Sequence, residues 1–297
     1  MASGRAQGWR VWLAAARPRT LPAALAPVVM GTALAAADGV LHLGAAGLAL
    51  AGAVAIQIGT NYANDYFDFR KGADKDRVLG PTRATAAGLV QPSTMKRAFL
   101  LAFGIAFVAG ILLVARAGWP IVWIGLASIA LGILYTGGPA PLAYTGLADP
   151  VVLIFFGPVA VGGTYFVQAL TWSPASLVAG VGPGLIAVAL LTVNNMRDIE
   201  TDRTVRKRTL AARFGRRFGR MEYALAMLGA AAVPPVLVTG YDVSMGVLAA
   251  SVTLLLALPA LRQVWAAREG DTLASALAGT GRALVLYGVA FAVGCLV

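Results

Sequence analysis

Nine mostly apolar stretches follow one another along this chain, near residues 19–37, 43–63, 98–115, 118–135, 151–170, 176–196, 222–240, 243–261 and 281–297. Each approaches the roughly 20 apolar residues that a helix needs to cross a hydrocarbon layer. In such a layer no water satisfies a peptide N–H or C=O, so only helices or closed barrels span it. The alternating segments of about ten residues that build a barrel are absent from the sequence. The expectation is an all-α, polytopic membrane protein: one nine-transmembrane-helix bundle occupying 1–297 as a single domain. Composition agrees, since 12% of the residues are charged and 59% hydrophobic, with a mean hydropathy of +0.76, whereas soluble domains carry about 25% charged residues. The basic N-terminus has no A-x-A-like cleavage site after a short apolar core, so the first run reads as a retained span.

The formal net charge of +11 suits either a nucleic acid or an anionic membrane face. The charges lie between apolar runs, which favours the membrane and argues against nucleic acid. All of the 24 basic residues except Arg116 fall in four segments that a nine-span arrangement places on one side. The richest are the motif loops 64–97 and 197–220; the N-terminal segment 1–18 shares that side. By the positive-inside rule this side is cytoplasmic, and a bacterial inner membrane with a cytoplasmic N-terminus is expected. Cys295, the one cysteine, lies in the last apolar run and reads as an inert buried thiol. His42, the one histidine, falls on the far side and reads as structural.

Two acidic clusters stand at the cytoplasmic ends of apolar runs. The first is Asn61-Tyr-Ala-Asn64-Asp65-Tyr-Phe-Asp68; the second is Asn194-Asn195-Met-Arg-Asp198-Ile-Glu-Thr-Asp202. Ionisable residues beside a hydrophobic segment are costly and point to function. On a helix, Asn61, Asn64, Asp65 and Asp68 share one face, as do Asn194, Asp198 and Asp202, with Asn195 at the edge of that stripe and Glu200 turned away. Carboxylates stacked a turn apart repel unless a cation joins them. Mg²⁺ takes oxygen ligands and is often held by one or two carboxylates plus substrate phosphates. Two facing stripes would grip a Mg²⁺-diphosphate, and Lys71, Arg83 and Lys207 are the favoured phosphate ligands among the neighbouring cations. A bare cation site would not need those basic residues. The competing reading of a single stripe is a solvated helix end, but two Asn-plus-Asp stripes on one side are harder to explain that way.

At these residues the chain resembles the UbiA superfamily of intramembrane aromatic prenyltransferases, and within it the branch that uses 1,4-dihydroxy-2-naphthoate. The resemblance is carried by Ala16-Arg-Pro-Arg-Thr-Leu-Pro-Ala23, by Asn64-Asp-Tyr-Phe-Asp68 with Lys71-Gly-Ala-Asp74, by Tyr135-Thr-Gly-Gly-Pro-Ala-Pro-Leu142 with Gly146-Leu-Ala-Asp149, and by Asn194 to Asp202 with Lys207-Arg-Thr-Leu-Ala211. Gly72 stands where many members have a further Asp, which leaves Asp74 as an additional metal candidate. The likeness implies a helix bundle around a central cavity open to the cytoplasm and to lipid. It implies Mg²⁺ held by Asp65, Asp68, Asp198 and Asp202, and a catalytic role for these four and Lys207. Asn61, Asn64, Lys71, Arg83, Tyr135, Asn194 and Asn195 are implied to bind substrate.

The implied reaction is ionisation of a polyprenyl diphosphate, attack by the naphthoate ring, and loss of CO₂ to give demethylmenaquinol. Decarboxylation lessens the need for a strong base, which suits a chain with a single histidine. Tyr62, Tyr66, Tyr135 and Tyr144 are candidates to face the allylic cation, though aromatic residues near span ends are commonly interfacial anchors. The alternatives are the same chemistry on another acceptor, such as 4-hydroxybenzoate, and an ion-coupled transporter. Transporter sites lie nearer the bilayer midplane, commonly at broken helices.

Overall fold

The structure is a computed structural model that describes residues 2–72 and 83–297. Asp74, Lys75 and Arg77 lie outside the described residues. The described residues form helices joined by turns and contain no strand. In chain order the helices are α1 (Ala2–Ala16), α2 (Pro22–Ala37), α3 (Leu43–Lys71), α4 (Pro92–Ala117), α5 (Trp119–Leu134), α6 (Leu142–Thr145), α7 (Ala148–Phe155), α8 (Pro158–Ala169), α9 (Pro174–Arg197), α10 (Ile199–Thr204), α11 (Leu210–Gly240), α12 (Leu248–Thr253), α13 (Leu258–Ala266) and α14 (Ala274–Cys295). Among the described residues, seven helical segments are long and apolar enough to cross a membrane. A further pair, Gly8–Thr20 with Pro22–Ala37, qualifies only as one span bent by 56°, and α5 is a shorter apolar helix. The chain is therefore a polytopic membrane protein. Each of the nine sequence-expected stretches overlaps helix, but the length criterion does not reach nine spans.

Local chemistry explains the boundaries. Arg17 has a left-handed backbone (φ 51°) that stops α1 and opens the 3₁₀ turn Pro18–Thr20. Proline stands in the first turn of α2, α4, α5, α8 and α9, where its missing N–H costs nothing. His42 caps α3 by accepting from Ala45 N–H at 3.0 Å, a structural duty of the kind the sequence suggested. α3 runs to Lys71 and ends at Gly72 with φ 69°. The first motif is thus helical throughout rather than part of a loop. α11 begins at Leu210, well before the expected edge, so Arg213, Arg216, Arg217 and Arg220 sit on helix.

Packing then sets the walls of the site. α3 lies along α4, α9 lies along α11, and α2 is held between α8 and α14. α7 and α8 are separated by a break at Gly157, and α9 passes this break at backbone contact. A Cβ on Gly180 would lie 2.6 Å from the backbone of Gly157 and Pro158, so only glycine permits the approach. The main buried core gathers around α9, with Ile186, Ala189, Met196, Tyr223 and Tyr287 almost fully enclosed.

Candidate active site

The two acidic motifs meet at one cavity of about 860 Å³. Asn61, Asn64 and Asp68 from α3 line it, as do Asn194, Asn195, Arg197 and Asp198 from the end of α9. Arg17, Arg83, Tyr135 and Lys207 add to its polar part, while most of its remaining walls are apolar. The stripes are therefore not on opposite ends of the bundle. All four α3 residues of the first stripe are buried, as are Asn195, Asp198 and Asp202.

The first stripe is a single helical face. Asp68 Oδ2 accepts from Arg83 Nη2 at 3.0 Å. Asp65 is used differently, since its two oxygens accept from the backbone N–H groups of Ala84 and Thr85, each at 2.9 Å. It anchors the segment that carries Arg83, and it stands behind the cavity wall rather than on it. Asn64 Oδ1 accepts from Thr136 Oγ1 at 2.8 Å, and Lys71 Nζ donates to Thr136 O at 2.6 Å. These bonds strap the Tyr135–Pro139 turn to the end of α3. The turn needs both of its glycines. A Cβ on Gly137 would lie 2.7 Å from Ile133 O and 2.8 Å from the Phe67 ring, and Gly138 has φ 77°.

The second stripe is interrupted. α9 ends at Arg197, Asp198 caps it with φ −94° and ψ 9°, and α10 starts afresh. The i, i+4, i+8 face expected from an unbroken helix is therefore replaced by a corner. The Arg197 guanidinium makes a two-pronged pair with its neighbour, Nε to Asp198 Oδ1 and Nη2 to Oδ2, both at 2.7 Å. Asp202 lies 3.4 Å from Lys207 Nζ and, like Asp65, stands off the cavity wall. Glu200 points away, toward Arg203 and Arg216. Asn194 Nδ2 donates back to Leu190 O at 3.1 Å.

Among the sequence-selected cations, Arg83 and Lys207 line the cavity and Lys71 does not. Lys71 lies 4.8 Å over the Tyr144 ring, and Lys207 lies 6.0 Å from the same centroid. Of the four tyrosines, Tyr135 alone lines the cavity. Tyr62 donates to Trp12 O at 3.2 Å, and Tyr66 packs against Phe67 and Phe99. By sequence Arg197 reads only as a loop cation. Its adjacency to Asp198 is visible in the motif, but the inward turn depends on the helix break.

This arrangement alternates carboxylates and cations around one apolar cavity. The described residues contain no cluster of three or more His, Cys, Asp or Glu able to cage a metal by themselves. The donor set is two half-sites, Asp68 with Asn64 and Asp198 with Asn194, each beside an arginine. That chemistry fits Mg²⁺, which binds through one or two carboxylates and takes its other ligands from water and phosphate.

An all-helical membrane bundle with paired acidic motifs around one cavity is the class this geometry defines. Residues 24–296 match the model of the UbiA prenyltransferase family, and the chain belongs to that family. It is 41% identical over 283 residues to a 1,4-dihydroxy-2-naphthoate octaprenyltransferase of Mycobacterium tuberculosis, covering 95% of each chain. Its fold is similar to that of a UbiA homolog from Aeropyrum pernix, with a TM-score of 0.67 and 16% identity, covering 90% of this chain and 97% of that one. It is also similar to a UbiA homolog from Archaeoglobus fulgidus bound to DMAPP and Mg²⁺, with a TM-score of 0.63 and 13% identity, covering 95% of this chain and 99% of that one.

Proposed function

We propose that this chain transfers a polyprenyl group from polyprenyl diphosphate to 1,4-dihydroxy-2-naphthoate, releasing diphosphate and CO₂ and forming demethylmenaquinol. One observation carries the reading: Asp68 and Asp198, with Arg83, Arg197 and Lys207, lie on the wall of a single, largely apolar cavity. The name of the mycobacterial relative supports the choice of acceptor.

In this reading Asp68 and Asp198, aided by Asn64 and Asn194, hold Mg²⁺. The chemistry a bound Mg²⁺ supplies is charge neutralisation of the leaving diphosphate. Arg83, Arg197 and Lys207 bind phosphate oxygens, with two-pronged geometry open to the arginines. Asp65 and Asp202 act from behind, Asp65 by holding the Arg83 segment and Asp202 by holding Lys207. The C–O bond of the prenyl diphosphate breaks with its electron pair on the diphosphate. The apolar walls hold the tail and keep water from the allylic cation. A ring carbon of the naphthoate then forms the new C–C bond, and the departing CO₂ returns its bonding pair to the ring. Tyr135, on the cavity wall, faces the cation in this reading.

The chain forms one domain that crosses a bacterial inner membrane nine times, with α5 and the bent α1–α2 pair supplying the crossings beyond seven. Its N-terminus and the mouth of its active site face the cytoplasm, as the basic residues favour. Arg116 fits this orientation: it caps the far end of α8, donating to Val167 O and Gln168 O at 2.9 and 3.0 Å.

The test is product formation by the purified chain with a polyprenyl diphosphate and Mg²⁺, across several aromatic acceptors. Demethylmenaquinol from the naphthoate is the expected result. Activity confined to 4-hydroxybenzoate would overturn the acceptor. Solute transport by reconstituted protein with no Mg²⁺ requirement would overturn the enzyme.

A further inference from the structure

Gln57 lies on α3 one turn below Asn61, about 6 Å deeper at 1.5 Å per residue. Its side chain is 7% exposed, and it lines the cavity. The amide oxygen Oε1 is buried and has no hydrogen-bond partner among the described residues. No part of the diphosphate chemistry above uses it.

The orientation of this amide follows from its neighbour. Thr20 has one hydroxyl proton and two lone pairs. The proton is committed, because Thr20 Oγ1 donates to Arg17 O at 2.9 Å. Thr20 Oγ1 must therefore accept from its other neighbours, and it does so from Gln57 Nε2 at 3.2 Å and Asn61 Nδ2 at 3.1 Å. A flipped Gln57 amide would set oxygen against oxygen. The nitrogen end is thus tied to the N-terminal segment, which leaves Oε1 as a fixed, buried acceptor with no donor among the described residues, on a side chain that lines the cavity. A buried acceptor without a donor is expensive, so such a group points to an occupant that brings one.

The substrates differ sharply in this respect. A polyprenyl tail has no polar hydrogen. A diphosphate presents acceptors, which Oε1 would repel. The dihydroxynaphthoate ring carries two phenolic O–H donors. We propose that Gln57 Oε1 accepts a hydrogen bond from one phenolic hydroxyl of the acceptor ring and so helps to select a dihydroxy aromatic acceptor. The proposal rests on the prenyl-transfer reading and adds to it a specificity-determining residue. Its physical basis is the penalty of leaving a buried acceptor unpaired when a substrate lacks the matching hydroxyl.

The test uses the full chain with Mg²⁺ and a polyprenyl diphosphate. Steady-state constants are measured for 1,4-dihydroxy-2-naphthoate and for its two monohydroxy counterparts, 1-hydroxy-2-naphthoate and 4-hydroxy-2-naphthoate, in the wild type and in Gln57→Met. Comparing acceptor ratios between the two proteins removes intrinsic differences in ring reactivity. Gln57→Met should raise KM for the dihydroxy acceptor about 10-fold, the scale of one lost buried hydrogen bond. KM for the prenyl diphosphate should stay unchanged. The preference over one monohydroxy compound should shrink by the same factor.

Gln57→Glu keeps an accepting oxygen, with the Thr20 hydroxyl proton turning from Arg17 O to the other carboxylate oxygen, and should retain that preference, which also covers the case in which the Met variant fails to fold. Equal changes in both KM values, an unchanged preference in Gln57→Met, or loss of the preference in Gln57→Glu would each overturn the proposal. Should the wild type act on none of the naphthoates, the prenyl-transfer reading itself fails. Turnover with unaltered selectivity defeats only the role of Gln57.

Discussion

The α3 half and the α9 half of the site carry the same residue types and are built in different ways. On α3 an unbroken helix presents its stripe, and two carboxylates reach across to a distant segment: Asp65 to Ala84 and Thr85, Asp68 to Arg83. On α9 the helix stops within the motif, and Asp198 is paired with the residue beside it, Arg197. The first half assembles its cation through tertiary contacts; the second carries its cation in the motif. Similar sequence motifs therefore do not imply equal tolerance to change, since a long-range clamp fails when its loop loosens and a local pair does not.

The largest expected effect bears on what the halves share. Chelation of Mg²⁺, Asp68→Asn or Asp198→Asn should each lower prenyl transfer by about 10²–10³-fold or more, the scale of removing a group that stabilises transition-state charge. Retention of near-wild-type rates in both variants would remove the proposed equivalence of the halves.

Asp65→Asn should separate them. It weakens two charge-assisted bonds to backbone N–H groups, worth about 1.5–3 kcal/mol each when intact. Transfer should fall about 10-fold or more by the same measure, with faster amide exchange at Ala84 and Thr85. Asp198→Asn should leave exchange at those amides unaltered, and an equal response in both variants would erase the distinction.

Arg197→Lys keeps the charge but cannot make the two-pronged pair with Asp198. A loss of transfer of about 3–10-fold, matching roughly 1 kcal/mol, is expected there. Arg83→Lys should lose less of its pairing with Asp68, which uses one nitrogen. The reverse order would show that the tertiary clamp, rather than the local pair, depends on guanidinium geometry.

Gly137→Ala should have the smallest effect on transfer and act on stability instead, as a change at the strap that joins the Tyr135 turn to α3. The added methyl meets Ile133 O and Phe67, and overpacking of this kind costs about 1–3 kcal/mol. A thermal melt in detergent should show the loss, with the Asn64–Thr136 contact disturbed more than anything around Asp198.

Much of this molecule was legible in its residues. The apolar runs announced a membrane-spanning helical chain because hydrocarbon leaves the backbone no other way to satisfy its hydrogen bonds. The two Asn-plus-Asp motifs marked the candidate site because acids beside apolar helices are costly, and residues of both line one cavity. The role of His42 as a structural cap was also within reach. Lys71 shows where pattern runs short: a cation beside an acidic motif looks like a phosphate ligand, yet here it lies off the cavity wall and donates to Thr136 O.

Periodicity gave the face of α3 and misjudged the face beyond Asp198, since an angular wheel assumes a continuous helix and cannot register a break. The sequence by itself determined the solvent this protein folds in and the residue types of its candidate site. Those follow from local composition and from the energy of burying charge. Only the tertiary structure decided which carboxylates reach the cavity and which brace it from behind, and only it left the buried Gln57 amide oxygen without a donor among the described residues. Such choices depend on hydrogen bonds between segments far apart in the chain, as when Thr20 orients a side chain thirty-seven residues away, and no local pattern records them.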